Sequence, residues 1–555
     1  MARPKISLAG PIARALDILK GGRGVTLAGV PDGFDALLIA DLTRLLSQTA
    51  DGAAVLMHVA RDGQRRQALE SALRFLAPEI EVLHFPAWDC QPYDRVSPTS
   101  TATSGRMTAL ARLARSRTSE EKPRILSTTA NAVVQRVPPR ARIAAETFSA
   151  APGNAVKVEQ LVAWLEANGS TRAGTVREPG EYAARGGIVD LFPPGLPAPV
   201  RLDFFGDTLE SIRPFDPETQ RSTGQLRSLD LVPVSEVQIT TESIRRFRQA
   251  YVAAFGAPQR DDRLYEAVSE GRRYPGLEHW LPLFHERLDT LFDYLPGVPV
   301  IFDALVEDAA GERLAQVQDY YEARASAMGQ GEGGAPYKPL KPDRLYVSPE
   351  EWARILRDLP LARLTPFSEA EGGDRAVIDL EARRGRNFIA ERADPNANVF
   401  EAAAQHIKAL QAEKKRVVVA AWSEGSRERL GHVLEDHGIA AQPVARLADT
   451  LALPRNKAIL AVWGTESGFE AGDLAVIGEQ DILGDRLVRQ KRTARRPQDF
   501  LAEVAALTPG DLVVHVDHGI GRFEGLRSIE AAGAPHDCLE ITYAGEARLF
   551  LPVEN

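Results

Sequence analysis

GVTLAGVPDGFDALLIADLTRLLSQ, residues 24–48, reads as a short apolar strand, a turn bounded by glycines, and an amphipathic helix. Strand, turn and helix in that order open a parallel α/β sheet. The turn, Gly29-Val30-Pro31-Asp32-Gly33-Phe34-Asp35-Ala36, occupies the place where a phosphate-binding loop would sit. Such a loop needs glycines for close backbone approach, a lysine for the β- and γ-phosphates, and a hydroxyl for magnesium. In this register the lysine position is Asp35 and the hydroxyl position is Ala36. A carboxylate there repels a triphosphate. Gly29, Gly33, Asp35 and Ala36 are therefore expected to form a degenerate loop that keeps the frame of a nucleotide site and binds no nucleotide.

Outward from this stretch the alternation continues through AAVLMHV (53–59), RDGQRRQALESALRFL (61–76) and EVLHFP (81–86), which predicts one α/β domain over residues 1–145. A break at Ala151-Pro152-Gly153 introduces an α+β insert over 146–232, with the helix VEQLVAWLEANG (158–169) and the strands GGIVDLF (186–192) and VRLDFF (200–205). Residues 233–350 mix helices with the strand GVPVIFDAL (297–305) and read as the second part of the first domain. A small second α/β domain is expected over 376–485, from the helix NVFEAAAQHIKALQAEKK (398–415) and the buried strands RVVVAAW (416–422) and KAILAVW (457–463). The stretch 486–500 carries Arg486, Arg489, Lys491, Arg492, Arg495 and Arg496 and reads as a basic linker, with contact to DNA or a protein partner as the alternative. Residues 501–555 read as a hairpin-built β-barrel: PGDLVVHVDHGIGRFEGL (509–526), then CLEITY (538–543) and ARLFLPV (547–553).

Composition narrows the class more than the chemistry. With 555 residues several domains are required, and 44% hydrophobic with 26% charged residues is ordinary globular composition. A formal net charge of -9 argues against a protein that coats DNA along its whole length. Cys90 and Cys538 stand far apart without a CxxC or Cys/His cluster, so neither a disulfide framework nor a structural zinc site is predicted. His515 and His518 lack Cys or carboxylate partners at ligand spacing and read as structural. No window approaches the length of a membrane span, and a cytoplasmic protein is expected.

One surface stands out from the residues alone. GGIVDLF and VRLDFF flank the turn PPGLPAP (193–199), so they form a hairpin in which Arg201, Asp203 and Phe205 share one face and Leu202 and Phe204 the other. If Leu202 and Phe204 take the core, Phe205 is an exposed aromatic beside an arginine, the composition of a protein-interface hot spot. A Phe half-buried under a neighbouring helix is the other reading, and the residues leave both open.

Several segments carry a family resemblance. FPAWDCQPYDRVSPTSTATSGRMTALARL (85–113), ILSTTANAVVQRVPP (125–139) and EPGEYAARGGIVDLFP (178–193) are similar to UvrB, the damage-verifying component of nucleotide excision repair. VVHVDHGIGRFEGL (513–526) and LEITYAGEARLFLPV (539–553) resemble the RNA-polymerase-interacting domain shared by CarD-type regulators and bacterial transcription-repair coupling factors. GLEHWLPLF (276–284), RRGRNF (383–388) and GDRLVRQKRTARR (484–496) also read like the latter family, and the order of segments is that of a coupling factor.

The resemblance implies a UvrB-like α/β domain with a degenerate P-loop and an α+β insert, a second small α/β domain, and an SH3-like, CarD-type C-terminal barrel. It implies that Arg185, Arg201 and Phe205 bind UvrA, on a face that a C-terminal domain masks in intact family members. It places Ile529 against the β subunit of RNA polymerase, although an Ile turned into the barrel core is what the residues alone would suggest. ATP, magnesium and most DNA contact are expected in a translocase motor that follows in the family. This chain is expected to carry the binding half and to need no cofactor. Competing readings are a UvrB-like damage-verification ATPase and a CarD-like polymerase-binding regulator.

Overall fold

The computed structural model describes residues 9–49, 54–115, 122–146, 148–259, 262–327, 337–369, 376–484, 510–515, 519–531, 534–543 and 547–552. It divides into two compact units, Met1–Gly484 and Asp485–Asn555.

The first unit is built around a seven-stranded parallel sheet in the order Ala376–Asp379, Val25–Ala28, Leu361–Leu364, Val300–Phe302, Val55–Ala60, Arg124–Thr129, Glu81–His84. Alternate residues along the inner strands feed two separate cores. Leu27, Leu56, Ile125, Ile301 and Ala362 join Phe34, Leu38 and Leu73 of the helices Phe34–Thr49 and Gly63–Leu76 on one face. Met57, Val59, Leu126, Val300 and Phe302 join Met107 and Leu110 of the helix Ser100–Ala114 on the other. A parallel sheet covered on both faces explains why these strands read as unbroken apolar runs. The helix Gly63–Leu76 starts where the Asp62 side chain accepts the Arg65 backbone N–H at 2.8 Å, an N-cap that fixes the first turn.

Two strands of this sheet come from unexpected places. Leu361–Leu364 lies in the interval 351–375 that carried no domain assignment, and Ala376–Asp379, read as the start of the second α/β domain, pairs in parallel with Val25–Ala28 instead. Both are four residues long. At that length membership of a sheet is decided by the neighbouring strand's free backbone groups and not by local pattern.

The insert holds a five-stranded sheet in the order Thr208–Pro214, Val200–Phe205, Ile188–Leu191, Glu181–Arg185, Thr171–Arg172. The expected hairpin of Ile188–Leu191 with Val200–Phe205 is antiparallel, pairing Asp190 with Arg201 and Ile188 with Asp203. The inner face, with Tyr182, Val189, Leu191, Val200, Leu202, Leu209 and Ile212, packs on Leu161 and Leu165 of the helix Val158–Ala167. A second, six-stranded mixed sheet follows in the order Arg383–Arg384, Phe469–Ala471, Leu474–Gly478, Arg416–Ala421, Ala458–Val462, Ala441–Pro443.

The second unit is a four-stranded antiparallel sheet of consecutive strands, Leu512–His515, Gly519–Ala531, Ala534–Thr542 and Arg548–Pro552. A bulge between Phe523 and Gly525 bends its second strand. Phe523, Leu539 and Ile541 form its buried centre. Among the described residues no pairing joins the first strand to the last. The basic stretch 486–500 and His518 lie outside the described residues, as does the side chain of His515. No helix among the described residues is long and apolar enough to cross a membrane, and no group of His, Cys, Asp or Glu there could hold a metal ion.

Candidate functional site

The outer face of the five-stranded sheet carries the arginines and the aromatic that the sequence singled out. Because Leu202 is buried, Arg201, Asp203 and Phe205 point the other way, and Phe205 is 78% exposed at the end of its strand. Phe204 packs partly into the core, as the alternation requires. Of the two readings left open for Phe205, the exposed one describes the molecule.

Arg201 is held, not loose. Its Nε and Nη2 donate to the two Asp190 carboxylate oxygens at 2.7 and 2.9 Å, and its guanidinium lies 4.9 Å from the Phe215 ring centroid. One strand further out, Arg213 makes the same fork with Asp203 at 2.9 Å through both nitrogens. Two-pronged pairs of this kind fix planar groups in orientation as well as in energy. Arg185 is exposed at the end of Glu181–Arg185, donates to the Gly174 carbonyl, and has no carboxylate partner among the described residues. Arg185 and Phe205 flank the turn at Gly186-Gly187. Gly187 approaches the next strand so closely that a Cβ there would meet the Phe204 carbonyl oxygen at 2.7 Å, which requires glycine.

The register adds a residue that sequence reading passed over. Ile188 pairs with Arg185 on one side and with Asp203 on the other, and it is 41% exposed. The signal was available in the alternation Ile188-Val189-Asp190-Leu191, since Val189 and Leu191 face the core. From sequence, faces are assigned only on Val200–Phe205, and this strand is left without them.

The second locus is the loop at residues 29–36. Gly29 and Gly33 have φ of 63° and 91°, so the loop is tight and its amides converge. They converge on the protein's own carboxylate: Asp35 Oδ1 accepts the backbone N–H groups of Gly33 at 3.0 Å and of Ala36 at 2.9 Å. Asp35 Oδ2 accepts from Arg65 Nη2 at 2.6 Å, and Arg65 also reaches Asp303 through Nε at 3.2 Å and Asp32 at 3.2 Å. Burial pushes the Asp35 carboxyl up to about 6 against the pull of Arg65. Asp303 follows the strand Val300–Phe302, and neither it nor Arg65 was singled out in the sequence. Nothing local connects residues 238 positions apart.

The same loop is covered from the second α/β region. A Cβ on Gly33 would meet Thr465 Oγ1 at 2.8 Å and the Phe469 ring at 3.4 Å. Phe34 and Phe469 have ring centroids 5.5 Å apart, Phe75 stacks on Trp463 at 5.8 Å, and Gln64 Nε2 donates to Glu466 at 2.6 Å. One apolar core therefore runs from the Phe34–Thr49 and Gly63–Leu76 helices into the six-stranded sheet.

Beside Arg65 and Asp303 stands His58, 1% exposed, with neither ring nitrogen hydrogen-bonded. Burial lowers it from 6.5 to about 4. A depressed pKa means that the unfolded chain binds the proton first, so the stability tied to neutral His58 is complete above pH 6.5 and lost as pH falls toward 4. His58→Met is expected to match or slightly exceed the wild type at pH 7.5 and to exceed it by about 2 kcal/mol at pH 5. Urea midpoints at the two pH values check this, and equal differences at both would refute it.

In the C-terminal unit Ile529 lies in the long strand Gly519–Ala531, opposite His536. Its side chain is outside the described residues. Leu512 and Val514, read in sequence as part of an apolar run, are 71% and 76% exposed with Ile520 at 68%, while Val513 between them packs toward Phe523. Three apolar side chains thus line one face of the first hairpin.

Comparison with known proteins gives three family matches along the chain. A family model described as the UvrB interaction domain matches residues 148–237, one described as the MFD D3 domain matches 410–482, and one described as the CarD-like/TRCF RID domain matches 507–555. The chain is similar to the transcription-repair-coupling factor of Haemophilus influenzae, 30% identical over 95% of this chain and 44% of that protein. It is similar to that of Escherichia coli K12, 29% identical over 97% of this chain and 45% of that protein. It is also similar to that of Myxococcus xanthus, 31% identical over 98% of this chain and 46% of that protein. The chain spans less than half the length of these relatives.

Proposed function

The chain belongs to the transcription-repair-coupling factor family, and from that premise we propose that it is a docking scaffold joining RNA polymerase stalled at a DNA lesion to UvrA and nucleotide excision repair. The observation that carries the reading is Phe205, 78% exposed on the same strand face as the forked Arg201, with Asp203 between them, in a sheet that also holds Arg185, inside the segment similar to the UvrB interaction domain. An exposed aromatic on one face with oriented arginines is the composition of a hot spot, and here it stands on a sheet. The partner assigned to this face is UvrA.

The C-terminal unit takes the second partner. Its four strands belong to an SH3-like, CarD-type barrel, and Ile529 contacts the polymerase β subunit, a surface suited to strand addition. Release of polymerase by ATP-driven movement on DNA belongs to the motor of the full-length family, as do ATP, magnesium and most DNA contact. The loop at 29–36 is a degenerate phosphate loop: its amides already hold the Asp35 carboxylate, so an incoming phosphate would meet like charge with its donors occupied. This chain accordingly works without a nucleotide, and the cytoplasm is its compartment.

The test is direct binding of the purified chain to UvrA. Phe205→Ala is expected to weaken binding about tenfold or more, the loss typical of a central aromatic. Unchanged affinity refutes this face. DNA-stimulated ATP hydrolysis by the chain would refute the scaffold reading in favour of a UvrB-like ATPase.

A further inference from the structure

We propose that Ile188 is a fourth contact residue of this docking face, and that together with Phe205 it forms an apolar centre which the arginines surround. The inference rests on the UvrA-docking reading above and deepens it. It comes from the register. Arg185 pairs with Ile188, Ile188 with Asp203, and Asp190 with Arg201, so Ile188 lies in the row between Arg185 and Asp203 and one step from the row of Arg201. Phe205 follows on the same face of the same strand as Asp203, and the Phe204 N–H donates to the Gly187 carbonyl at 2.7 Å, which ties the end of that strand to the residue before Ile188. Arg185, Arg201 and Phe205 therefore have Ile188 among them.

Exposure and charge support the assignment. Ile188 and Phe205 are 41% and 78% exposed, while Val189, Leu191, Val200 and Leu202, their neighbours on the two strands, are buried. Two apolar side chains held out to solvent on one sheet face leave apolar area that only a partner can remove from water. Around them, Arg201 and Arg213 are already paired with Asp190 and Asp203, and Arg185 has no carboxylate partner among the described residues. Such a surface fits a partner offering an apolar pocket with a carboxylate at its rim for Arg185. Paired arginines contribute orientation more than net charge, so salt should weaken the contact only modestly.

The experiment measures UvrA binding by the full chain and by Ile188→Asp, Ile188→Leu, Phe205→Ala and, as a remote control, Val252→Asp, an exposed apolar position (44%) on the helix Thr241–Phe255. Ile188→Asp is expected to weaken binding about tenfold or more, Ile188→Leu to stay within about threefold of wild type, and Val252→Asp to be unchanged. If the wild type binds and Phe205→Ala fails to while Ile188→Asp binds normally, the assignment of Ile188 is overturned and the docking face stands. If the wild type itself does not bind UvrA, the docking reading falls and takes this inference with it. An equal loss in Val252→Asp would also overturn it, because the effect would not be local. Should Ile188→Asp melt earlier than wild type, Ile188→Thr, which keeps the β-branched strand residue, decides by the same criterion.

Discussion

Glu236→Ala is expected to cost the protein about 3–5 kcal/mol, the loss typical of breaking a buried ion pair by removing one partner. Glu236 and Arg106 are both fully buried, with Arg106 Nη2 and Nε donating to the two carboxylate oxygens at 2.9 and 3.0 Å. The Trp88 indole N–H donates to the same carboxylate at 2.6 Å, and Arg106 also donates to the Pro86 carbonyl at 3.1 Å. Removing Glu236 leaves a guanidinium in the interior with one carbonyl and the faces of Phe85 and Trp88 for company. That is the expensive half of a buried ion pair. Replacing both partners, as in Arg106→Met with Glu236→Leu, removes the stranded charge and should recover most of the loss. Denaturant midpoints for the single and double variants check this, and a single-variant loss below about 1 kcal/mol would refute it.

The same pair shows what sequence could and could not deliver. Glu236 follows the insert, and Arg106 sits 130 residues earlier on the helix Ser100–Ala114. Each reads alone as a surface charge. Only the fold, which brings the chain back from the insert to the sheet that launched it, makes them one group. The strand-turn-helix at 24–48 was legible because its period changes within a few residues. The exposure of Phe205 was legible once Leu202 was given to the core.

The clamps on that face were not legible, because they depend on register: Asp190 meets Arg201 only if Ile188–Leu191 and Val200–Phe205 pair without a slip. The loop divides in the same way. Asp35 at the lysine position was visible, whereas its hydrogen bonds to the loop amides and the convergence of Arg65 and Asp303 required the folded sheet. At the other end of the chain, Leu512-Val513-Val514 is an apolar run in which the residues alone do not say which members face out. A half-covered antiparallel sheet turns alternate members outward.

Arg65→Met should produce the second large effect, about 3–5 kcal/mol at pH 8, and this loss should shrink in acid. Arg65 is the cation shared by Asp35 and Asp303, whose side chains are 6% and 5% exposed. Without it two carboxylates face each other in the interior. With Arg65 present, burial already pushes Asp35 up to about 6, and Arg65 opposes that rise, so its removal moves the folded pKa higher still. A carboxyl whose folded pKa stands above its unfolded value of 3.8 carries its penalty above the folded value and sheds it as pH falls toward the unfolded one. The deficit of Arg65→Met relative to wild type should therefore be largest near pH 8 and narrow steadily to pH 5. Adding Asp35→Asn, which keeps an oxygen for the loop amides without the charge, should restore part of the loss at pH 8 and little at pH 5. A deficit of equal size at both pH values would mean that the loop is not held by charge. The proposal that the loop binds no phosphate would then lose its physical basis, which is an ionised Asp35 locked onto the loop amides by Arg65.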